Sequence, residues 1–348
     1  IRDRVRGQPT GYGLDTTAGL LSDRDLYDVT GLAFLSFVYP RNRWSVSVYR
    51  HVLANLQTSA ETEGLFTDNQ FGEPARFLDQ QNRTKLDVIS YGLSGAYRIS
   101  DAFSIGLGLV YYDTSITIDS DLYLWDDLEN PAGSGTSFLP ERFAIGQSLY
   151  GNDTSIGLSA GLLWRISPSW SLGGRYRQGP DSSFFGVIRI GSILEIELPP
   201  GFENEFEVVG ETELPDNYGL GVAYKSRGGR LTLAFEWDRA TYSDALESLD
   251  VDDQSIDDTD QFHLGGEWVF LETRPVVAIR AGLWHDPNHQ AVANDTADDH
   301  TRALLRPGDD QLHVALGFGL AFTNFQIDAA LDLADTVDTF SLSVIYNF

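Results

Sequence analysis

Cysteine and methionine are both absent from the 348 residues of this sequence. The absence of cysteine excludes disulfide bridges, thiolate metal ligands, thiol nucleophiles and thiol redox switches. Any chemistry must therefore use carboxylates, amides, imidazoles, hydroxyls and aromatic rings. We expect no bound cofactor and no metal site.

Lysine and arginine are scarce. The chain has 24 of them and 51 aspartates and glutamates, which gives a formal net charge of -27. Such a charge repels a phosphate backbone and excludes nucleic acid as a partner. Hydrophobic residues make up 42% of the chain and aromatic residues 12%, too much for an intrinsically disordered acidic protein. The acidic residues must therefore lie on the surface or in loops around a folded apolar structure.

Long apolar runs are also missing. No stretch of about 18 apolar residues occurs, so no transmembrane helix is predicted. No signal peptide is visible, and the chain starts at Ile1 instead of a methionine, which reads as a processed or truncated start. A membrane β-barrel needs only ~10-residue stretches in which apolar and polar residues alternate.

Such alternation recurs along the chain. From Phe103 to Tyr111 every odd position is apolar, while Ser104, Gly106 and Gly108 lie between. The same pattern holds in residues 156–164, 231–237, 312–322 and 340–348. Each stretch is a predicted strand with one apolar face and one small or polar face. The strands of a soluble β-sandwich, the alternative, run to ~5 or 6 residues, about half the length seen here.

Two kinds of connection separate these strands, and they take turns. Short turns are predicted at 40–43, 100–101, 167–168, 226–229, 272–274 and 323–324. Long loops are predicted at 57–83, 119–152, 197–204, 246–259 and 286–308. Outer-membrane barrels have short periplasmic turns and long extracellular loops. We therefore predict an all-β fold, a transmembrane antiparallel β-barrel in the outer membrane of a Gram-negative bacterium, with residues 1–348 as a single domain.

Aromatic residues cluster beside the predicted short turns, where the periplasmic aromatic girdle of a barrel runs. They are Tyr39, Trp44, Tyr97, Phe103, Trp164, Trp170, Tyr224, Phe270, Phe322 and Phe325. The last predicted strand ends on Phe348, which resembles the C-terminal signature that the barrel-assembly machinery recognises in outer-membrane proteins. That machinery is therefore an expected partner during biogenesis.

The strand count follows from the turns. Six short turns join twelve strands, and the C-terminal strand makes thirteen. Bacterial single-chain barrels have even strand numbers, so a fourteenth strand is expected. It lies either at Thr10 to Leu21 or upstream of Ile1. Residues 1–27 are thus predicted to be either the first strand or an external loop.

Two segments carry a family resemblance. Leu214 to Trp237, LPDNYGLGVAYKSRGGRLTLAFEW, resembles the Pro-led strand, short periplasmic turn and following strand of the long-chain fatty-acid transporter family of outer-membrane proteins (FadL type). Phe34 to Asn55, FLSFVYPRNRWSVSVYRHVLAN, is similar to an early hairpin of many members. The resemblance spans most of the chain. It implies passive transport of hydrophobic or amphipathic molecules such as long-chain fatty acids.

Members of this family carry an N-terminal hatch, with an Asn-Pro-Ala motif, that plugs the lumen. Nothing before the first predicted strand resembles such a hatch. An NPAG occurs at Asn130 to Gly133, but this is a predicted external loop, and we interpret the match as coincidence. We therefore expect no hatch within residues 1–27.

Arg50 interrupts an outward apolar series that begins at Trp44. A charged side chain that faces lipid near the bilayer centre costs ~2 to 4 kcal/mol, so one prediction is a bulge or kink near Tyr49, Arg50 and His51. The resemblance implies a function for it, because in the family an inward kink of an early strand opens a side window through which the ligand leaves into the membrane. The alternative is that Arg50 lies high enough to reach the lipid headgroups.

Predicted inward positions carry charges of both signs. They are Arg98, Arg165, Arg175, Arg177, Arg280, Glu236, Asp238, Glu267, Asp328 and Asp332, with His263 and His313 among them. We favour a salt-bridged, hydrated interior that stiffens the barrel. The alternative is ligand contact, in which a guanidinium binds a fatty-acid carboxylate. The candidates for that contact are Arg98, Arg165, Arg175 and Arg280.

The loop between the fourth and fifth predicted transmembrane strands carries apolar side chains suited to capture a hydrophobic molecule from outside. They are Phe138, Leu139, Phe143, Leu149 and Tyr150. The alternative, which we favour slightly, is that these side chains pack a small core of the loop itself.

No motif sets a serine, a histidine and a carboxylate apart as catalytic residues, so we predict no enzymatic activity. We predict a passive transporter in which a hydrophobic or amphipathic substrate enters from outside and leaves laterally. The alternative is a general diffusion porin or a surface-binding barrel for hydrophilic solutes. Membrane lipids and lipopolysaccharide are expected partners of either.

Overall fold

The structure is a computed structural model. It describes residues 2–6, 21–25, 30–63, 66–68, 74–76, 78–124, 138–190, 205–247, 253–297, 305, 308–335 and 337–347.

Most of the described chain is β-strand. The strands are β1 (Arg2–Arg6), β2 (Leu21–Asp25), β3 (Phe34–Pro40), β4 (Trp44–Glu63), β5 (Phe66–Asp68), β6 (Pro74–Arg76), β7 (Asp79–Arg98), β8 (Phe103–Tyr123), β9 (Phe143–Arg165), β10 (Trp170–Arg177), β11 (Asp181–Ile190), β12 (Glu205–Glu213), β13 (Asn217–Lys225), β14 (Leu231–Ala240), β15 (Gln254–Ser255), β16 (Thr259–Phe270), β17 (Val276–Asp286), β18 (Val292–Ala293), β19 (Gln311–Ala321), β20 (Phe325–Leu333) and β21 (Thr339–Tyr346). A short helix, α1 (Asp244–Glu247), follows β14, and a 3-10 turn (Pro140–Arg142) precedes β9. Within these residues no helix is long and apolar enough to cross a membrane.

One continuous antiparallel series organises the sheet, and each of its strands pairs with the next. Its members are β3, β4, β7, β8, β9, β10, β13, β14, β16, β17, β19, β20 and β21. These are the thirteen predicted strands, which are therefore confirmed. No ladder joins β3 to β21 in the part of the chain that the structure describes.

The fourteenth strand stays a prediction. Its candidate segment, 10–21, lies outside the described residues apart from Leu21, which begins β2. β1 pairs with β2 and runs parallel to the far end of β4, where Arg2 lies beside Ser59.

The apolar face of the alternating strands points outward. Leu107 and Ile156 are 68% and 72% exposed, and cross-strand pairing places Leu107 beside Ala160 and Tyr111 beside Ile156. A continuous exposed apolar belt of this kind is what a lipid-facing wall requires. A soluble sandwich would bury the same side chains against a second sheet.

The opposite face is lined near the short turns by small residues. Ser47 and Ser94 face each other on neighbouring strands, with their Oγ atoms 2.7 Å apart. A cavity of about 210 Å³ lies over this part of the inner wall and is also lined by Ser45, Ala96 and Ser159. The lumen is therefore lined by short, partly polar side chains at its periplasmic end.

All six predicted short turns are present, and three of them use the same local device. The hydroxyls of Ser100, Ser167 and Ser226 each accept a hydrogen bond from a backbone N–H a few residues on, at 3.1, 3.1 and 3.0 Å. Aromatic pairs flank the turns, including Trp170 with Tyr224, whose ring centroids are 5.1 Å apart. This is the predicted periplasmic girdle.

The predicted boundaries of two long loops are wrong. The first, 57–83, contains the last residues of β4 and the first of β7, and the second, 119–152, contains the end of β8 and the start of β9. These four strands are 20 to 23 residues long, about twice a membrane crossing. Beyond the membrane both faces meet water, so alternation disappears from the sequence while the backbone ladder continues.

Candidate lumenal site

The barrel wall breaks inward at one place. β10 continues into β11 through residues 178–180, and the neighbouring β12 continues into β13 through residues 214–216. The two breaks are joined, because the Leu214 N–H donates to the Pro180 carbonyl at 2.9 Å. Prolines at 180 and 215 suit such a break, since a proline cannot donate to a strand ladder.

Asp216 fixes the geometry of the break. Its carboxylate accepts hydrogen bonds from the Gly179 N–H at 2.8 Å and from the Tyr176 hydroxyl at 2.7 Å. Its own N–H donates to Thr241 Oγ1 at 3.1 Å. One residue, through its carboxylate and its backbone N–H, therefore ties together both breaks and the chain that follows β14.

The break lies on the inner side of β9. A Cβ atom added at Gly157, on the inner face of β9, would lie 3.3 Å from the Gln178 carbonyl oxygen. One added at Gly151 would lie 2.6 Å from the Ser183 carbonyl oxygen. The Tyr112 hydroxyl donates to the Gln178 carbonyl at 2.5 Å. The two glycines therefore allow the neighbouring chain to pass close across the lumenal face of β9.

A small apolar cluster forms where the break meets the opposite strands. Its centre consists of Val88, Val110 and Tyr112, which have no exposed surface. Leu53, Ala54, Leu86 and Leu214 pack against this centre. The lumen thus contains an apolar patch contributed by β4, β7, β8 and the break before β13.

Leu53 reaches this cluster because β4 has a bulge. The register with β7 shifts between Val52 and Ala54, so Leu53 is the extra residue. The prediction of a bulge near residues 49–51 was therefore slightly misplaced. Alternation continues without interruption from Trp44 to Val52, and the extra residue follows it.

Arg50 stays on the outer face, opposite Tyr91. Arg50 lies six residues along β4 from Trp44, and Tyr91 lies six residues along β7 from Tyr97. Trp44 and Tyr97 belong to the periplasmic girdle, so Arg50 and Tyr91 lie on the extracellular side of that girdle. Its guanidinium donates to the Leu32 carbonyl at 2.9 Å. Whether Arg50 lies high enough to reach the lipid headgroups stays a prediction.

Arg177, the last residue of β10, lies close enough to polar side chains of several other segments to interact with them. It interacts electrostatically with Tyr49 and His51 of β4, with Tyr112 of β8 and with Tyr242 beyond β14. Among the described residues no carboxylate lies within ion-pair distance of it, and its buried Nε atom has no hydrogen-bond partner. An unneutralised guanidinium ringed by phenols and an imidazole is an arrangement suited to an anion.

Tyr242, which follows β14, lies on the extracellular side of Arg177. Its ring stacks on His289 at 4.7 Å. Burial raises the pKa of the Tyr242 phenol, and the carboxylate of Asp286 raises it further, while Arg177 lowers it. The phenol is therefore neutral at physiological pH and is able to donate a hydrogen bond.

The other arginines of the inner wall differ from Arg177. Arg175 binds Glu236 at 3.1 Å and Asp238 at 2.8 Å, and it also donates to Asn217. Arg280 binds Glu267 at 2.8 Å and Asp328 at 2.6 Å. These contacts are the salt-bridged interior that the sequence predicted.

The remaining two candidate arginines lie at the periplasmic rim. Arg98 is the last residue of β7 and Arg165 the last residue of β9, and both are exposed beside short turns. The structure therefore brings Tyr49 and His51 together with Arg177 but leaves Arg98 and Arg165 at the far end of the barrel.

A stacked column of rings stiffens another part of the wall. His263, Trp284 and His313 lie on neighbouring strands, with centroid separations of 5.2 and 3.7 Å. Asp332 accepts from the Trp284 indole at 3.4 Å and lies 3.1 Å from His313 Nδ1. Because each face of the Trp284 ring is covered by a histidine, this column is structural packing.

The candidate capture residues divide into two groups. Phe138 and Phe143 pack edge-on against Tyr123 at 5.6 and 6.0 Å, which is the small core that the alternative predicted. Leu149 faces inward. Leu139 is exposed, and so is Tyr150 on the outer face of β9, beside Phe185.

Sequence reasoning missed Arg177, Tyr112 and Tyr242 as site residues. Arg177 was among the inward arginines, but no local feature distinguished it from Arg175. A signal for Tyr112 does exist, since the inner positions of β8 change from Gly106 and Gly108 to Val110 and Tyr112. Within the described residues, no group of three or more histidines and carboxylates is placed to hold a metal ion.

Comparison with known proteins identifies the family. The model of the family described as outer membrane protein transport protein (OMPP1/FadL/TodX) matches residues 58–339. Outer membrane protein P1 of Haemophilus influenzae is 25% identical over 273 residues, which cover 71% of this chain and 55% of that protein. The chain thus spans about half the length of the curated relatives it matches.

Solved structures show the same fold. A FadL homologue from Pseudomonas aeruginosa has a TM-score of 0.63 at 18% identity, with 90% of this chain and 78% of that chain covered. The CymD monoaromatic hydrocarbon channel has a TM-score of 0.52 at 17% identity, with 90% and 82% covered. With its exposed apolar belt, its short periplasmic turns and the family match over residues 58–339, this chain belongs to the OMPP1/FadL/TodX family of β-barrel transport proteins in the Gram-negative outer membrane.

Proposed function

We propose that the chain forms the barrel of a passive transporter for long-chain fatty acids and related amphipathic hydrocarbons. In this proposal Arg177 binds the carboxylate, the apolar cluster holds part of the acyl chain, and the bulge at Leu53 marks a lateral exit. Two observations carry the proposal. Among the described residues the guanidinium of Arg177 has no carboxylate partner and its buried Nε has no hydrogen-bond partner, and an apolar patch lies beside it inside the lumen.

The charge of the chain makes an unpaired lumenal arginine informative. With a net charge of -27 the protein repels anions in general, and the inner arginines Arg175 and Arg280 are neutralised by carboxylates. The neighbours of Arg177 among the described residues are phenols and an imidazole, not carboxylates. A carboxylate ligand would find a bidentate partner there, with Tyr49 and Tyr242 as further donors.

The acyl chain has a place beside the head. Tyr112 belongs both to the surroundings of Arg177 and to the apolar cluster, so head and tail sites are continuous. Each methylene that leaves water gains about 0.8 kcal/mol. A few methylenes on the partly buried members of the cluster, Leu53, Leu86 and Leu214, would hold an amphipathic ligand without making release slow.

The bulge supplies support for a lateral exit. β-bulges bend a strand and interrupt its pairing, and they occur beside functional sites in barrels. Here the extra residue, Leu53, lies on the same strand as Tyr49 and His51 and packs into the apolar cluster. A ligand held at Arg177 would therefore lie next to the irregular part of the wall.

Uptake assays test the proposal with a matched pair of variants. Arg177→Gln and Arg165→Gln each remove one inward arginine, but Arg165 lies at the periplasmic rim. In cells that lack their own fatty-acid transporter, we expect Arg177→Gln to slow oleate uptake at limiting concentration by about tenfold, the effect of losing a charged hydrogen bond. Uptake of toluene should not change, because this molecule has no carboxylate.

Two results would contradict parts of the proposal separately. Normal oleate uptake by Arg177→Gln would show that the carboxylate binds elsewhere. If the unmodified chain transported neither oleate nor toluene while folding correctly in the outer membrane, the transport proposal itself would be wrong.

A further inference from the structure

The long strands β8 and β9, with their neighbours β11 and β12, have an outer face that continues beyond the membrane. The outward apolar series ends at Tyr111 on β8 and at Ile156 on β9, and Asp113 and Thr154 take the next outward positions. An aspartate that faced lipid would be destabilising, so the membrane ends near these residues. Tyr150 lies six residues beyond Ile156, which is about 20 Å along β9. For a strand tilted by ~40°, Tyr150 therefore lies about 15 Å above the membrane.

Three apolar side chains form one row across this face. Cross-strand pairing places Tyr150 of β9 beside Phe185 of β11, and Phe185 beside Val209 of β12. The three residues, which we call the Tyr150 row, are 51%, 56% and 69% exposed. Outside the membrane no lipid covers them, and an apolar patch exposed to water among polar residues marks an interaction site.

The Tyr150 row ends among carboxylates. On β12 the outward positions on either side of Val209 are Glu207 and Glu211, and Glu205 and Glu213 come next. Among the described residues no cation lies within ion-pair distance of Glu205, Glu207 or Glu211, and all three are exposed. This end of the face is therefore a negative surface without its own counter-ions.

The cations on the outer face lie towards its other end. Lys85 of β7 binds Asp87 at 3.0 Å. Arg83 of β7 and Arg189 of β11 both interact electrostatically with Asp121 of β8. These three cations offset carboxylates of β7 and β8, so the glutamates of β12 beside the row keep their negative charge.

Charge and size together select the occupant. The phosphates of lipopolysaccharide and a second copy of this face are both negative, so both are repelled. Four strands about 4.8 Å apart and about nine residues long form a face of roughly 20 by 30 Å, or roughly 600 Å². Each folded partner in a stable complex contributes about 800 Å², so this face suits a short polypeptide segment better than a whole domain.

We propose that this face docks a cationic polypeptide segment from outside the cell. Lysines or arginines of the segment pair with Glu207 and Glu211, while one apolar side chain lies against the Tyr150 row. The inference depends on the membrane location of the chain. It is independent of the proposed transport function, because the face points away from the lumen.

Fluorescence anisotropy tests the site with a labelled peptide in which one tryptophan stands between two pairs of lysines. The barrel is held in phosphatidylcholine nanodiscs, and binding to empty nanodiscs is subtracted. We expect Tyr150→Ser with Phe185→Ser to weaken binding by about tenfold or more, because the apolar anchor loses its contact. We expect Glu207→Gln with Glu211→Gln to weaken binding by about fivefold at low salt and to reduce its salt dependence.

Two matched controls separate this face from the rest of the extracellular surface. Asp257→Asn with Asp309→Asn removes two exposed carboxylates that lie before β16 and β19, away from the row. Leu139→Ser removes an exposed apolar side chain that is not part of the row. Both controls should bind the peptide as tightly as the unmodified barrel.

Heat-dependent mobility in gels would establish that the variants are folded, and Tyr150→Ser alone replaces the double variant if that one does not fold. An unmodified barrel that binds no more peptide than empty nanodiscs would overturn the proposal, and so would equal affinities of all the barrels. Equal binding of a peptide with glutamates in place of lysines would also overturn it, because charge would then not select the partner. Self-association that is lost in Tyr150→Ser with Phe185→Ser would overturn it too, by assigning the face to a second copy of the chain.

Discussion

At the scale of single residues, the arginines of the inner wall differ in whether a carboxylate neutralises them. Arg175 and Arg280 each bind two carboxylates, which balances the cost of holding charge in a narrow lumen. Arg177 has no such compensation among the described residues, and a fixed cation without a counter-ion is a site for a charged ligand. The surroundings of Arg177 also depend on the size of nearby residues, and Gly92 is an example.

Gly92 lies under the ring of Tyr49, and any Cβ there would overlap that ring. We expect Gly92→Ala to displace Tyr49 from the surroundings of Arg177 and to destabilise the barrel by about 1 to 3 kcal/mol, the usual cost of overpacking. Urea unfolding in detergent micelles measures this. Gly265→Ala is the control, because a Cβ at Gly265 meets nothing within 4 Å. Equal stability of the two variants would show that Tyr49 moves aside without cost.

Asp310 provides a pH-dependent contact outside the membrane. The Asn288 N–H, which donates to its carboxylate at 2.8 Å, holds the pKa of Asp310 below its ordinary value of 3.8, and His285 lowers it further. A lowered pKa means that the contact stabilises the loop above about pH 4 and is lost as the pH falls through the lower, folded value. The protection factor of the Asn288 amide against hydrogen exchange should therefore fall as the pH is lowered through the folded pKa of Asp310, which lies below 3.8. Asp310→Ala should show the fast rate at neutral pH, and an unchanged rate would contradict the assignment.

At the scale of elements, the strands of this barrel are regular where they face lipid and irregular where they face the lumenal site. β4 has its bulge at Leu53, and β10 and β12 have their breaks at 178–180 and 214–216. All three irregularities contribute side chains or backbone to the surroundings of Tyr112. Their convergence on one residue indicates that they form one functional region.

Deleting Leu53 tests whether the bulge serves as an exit. The deletion joins Val52 to Ala54, whose partners Ile89 and Val88 are already consecutive, so the ladder becomes regular. We expect a folded barrel whose oleate uptake is reduced about tenfold or more. Leu53→Ala is the control, since it keeps the bulge, and it should lose stability by about 1 to 3 kcal/mol but retain uptake. Normal uptake after the deletion would place the exit elsewhere.

Variants of Arg280 test whether its ion pairs with β16 and β20 stabilise the barrel wall. Arg280→Met leaves Glu267 of β16 and Asp328 of β20 without their shared cation. Because the three side chains are partly exposed to the lumen, we expect a loss of only about 1 to 2 kcal/mol. Adding Glu267→Gln and Asp328→Asn should recover most of it in urea unfolding. A triple variant as unstable as the single one would mean that packing, not charge, is what Arg280 contributes.

At the scale of the whole molecule, the distribution of apolar surface is the reverse of that in a soluble protein. The outer wall exposes its largest apolar side chains. The described buried apolar residues are few: Val88, Val110 and Tyr112 of the lumenal cluster, and four alanines outside it. Burial of the belt in lipid or detergent therefore replaces the hydrophobic core.

Removing the detergent should consequently unfold or aggregate the protein. We expect loss of the monomer in size-exclusion chromatography and loss of heat-dependent gel mobility when the detergent falls below its micelle concentration. Phospholipid vesicles should restore the folded monomer, because they supply the same apolar surroundings. A folded monomer in plain buffer would contradict the membrane assignment.

Residue alternation was enough to predict the thirteen strands, the short turns and the girdle, because a side-chain period of two follows from strand geometry alone. It could not predict that β4, β7, β8 and β9 continue beyond the membrane, because both faces of a strand contact water there and apolar and polar residues no longer need to alternate. It also misplaced the bulge in β4, because Val52, Leu53 and Ala54 are all apolar and one extra residue among them leaves no mark in the alternation.

The amino-acid pattern by itself determined which face of each strand meets lipid, and with it the fold class and the compartment. Only the tertiary structure decided which charges are paired, because Arg175 and Arg177 are neighbours in one alternating strand with identical local patterns. The carboxylates that bind Arg175 come from the distant strand β14, while among the described residues none lies within ion-pair distance of Arg177. Pairing is a matter of a few ångströms across the lumen, and no local sequence pattern specifies that distance.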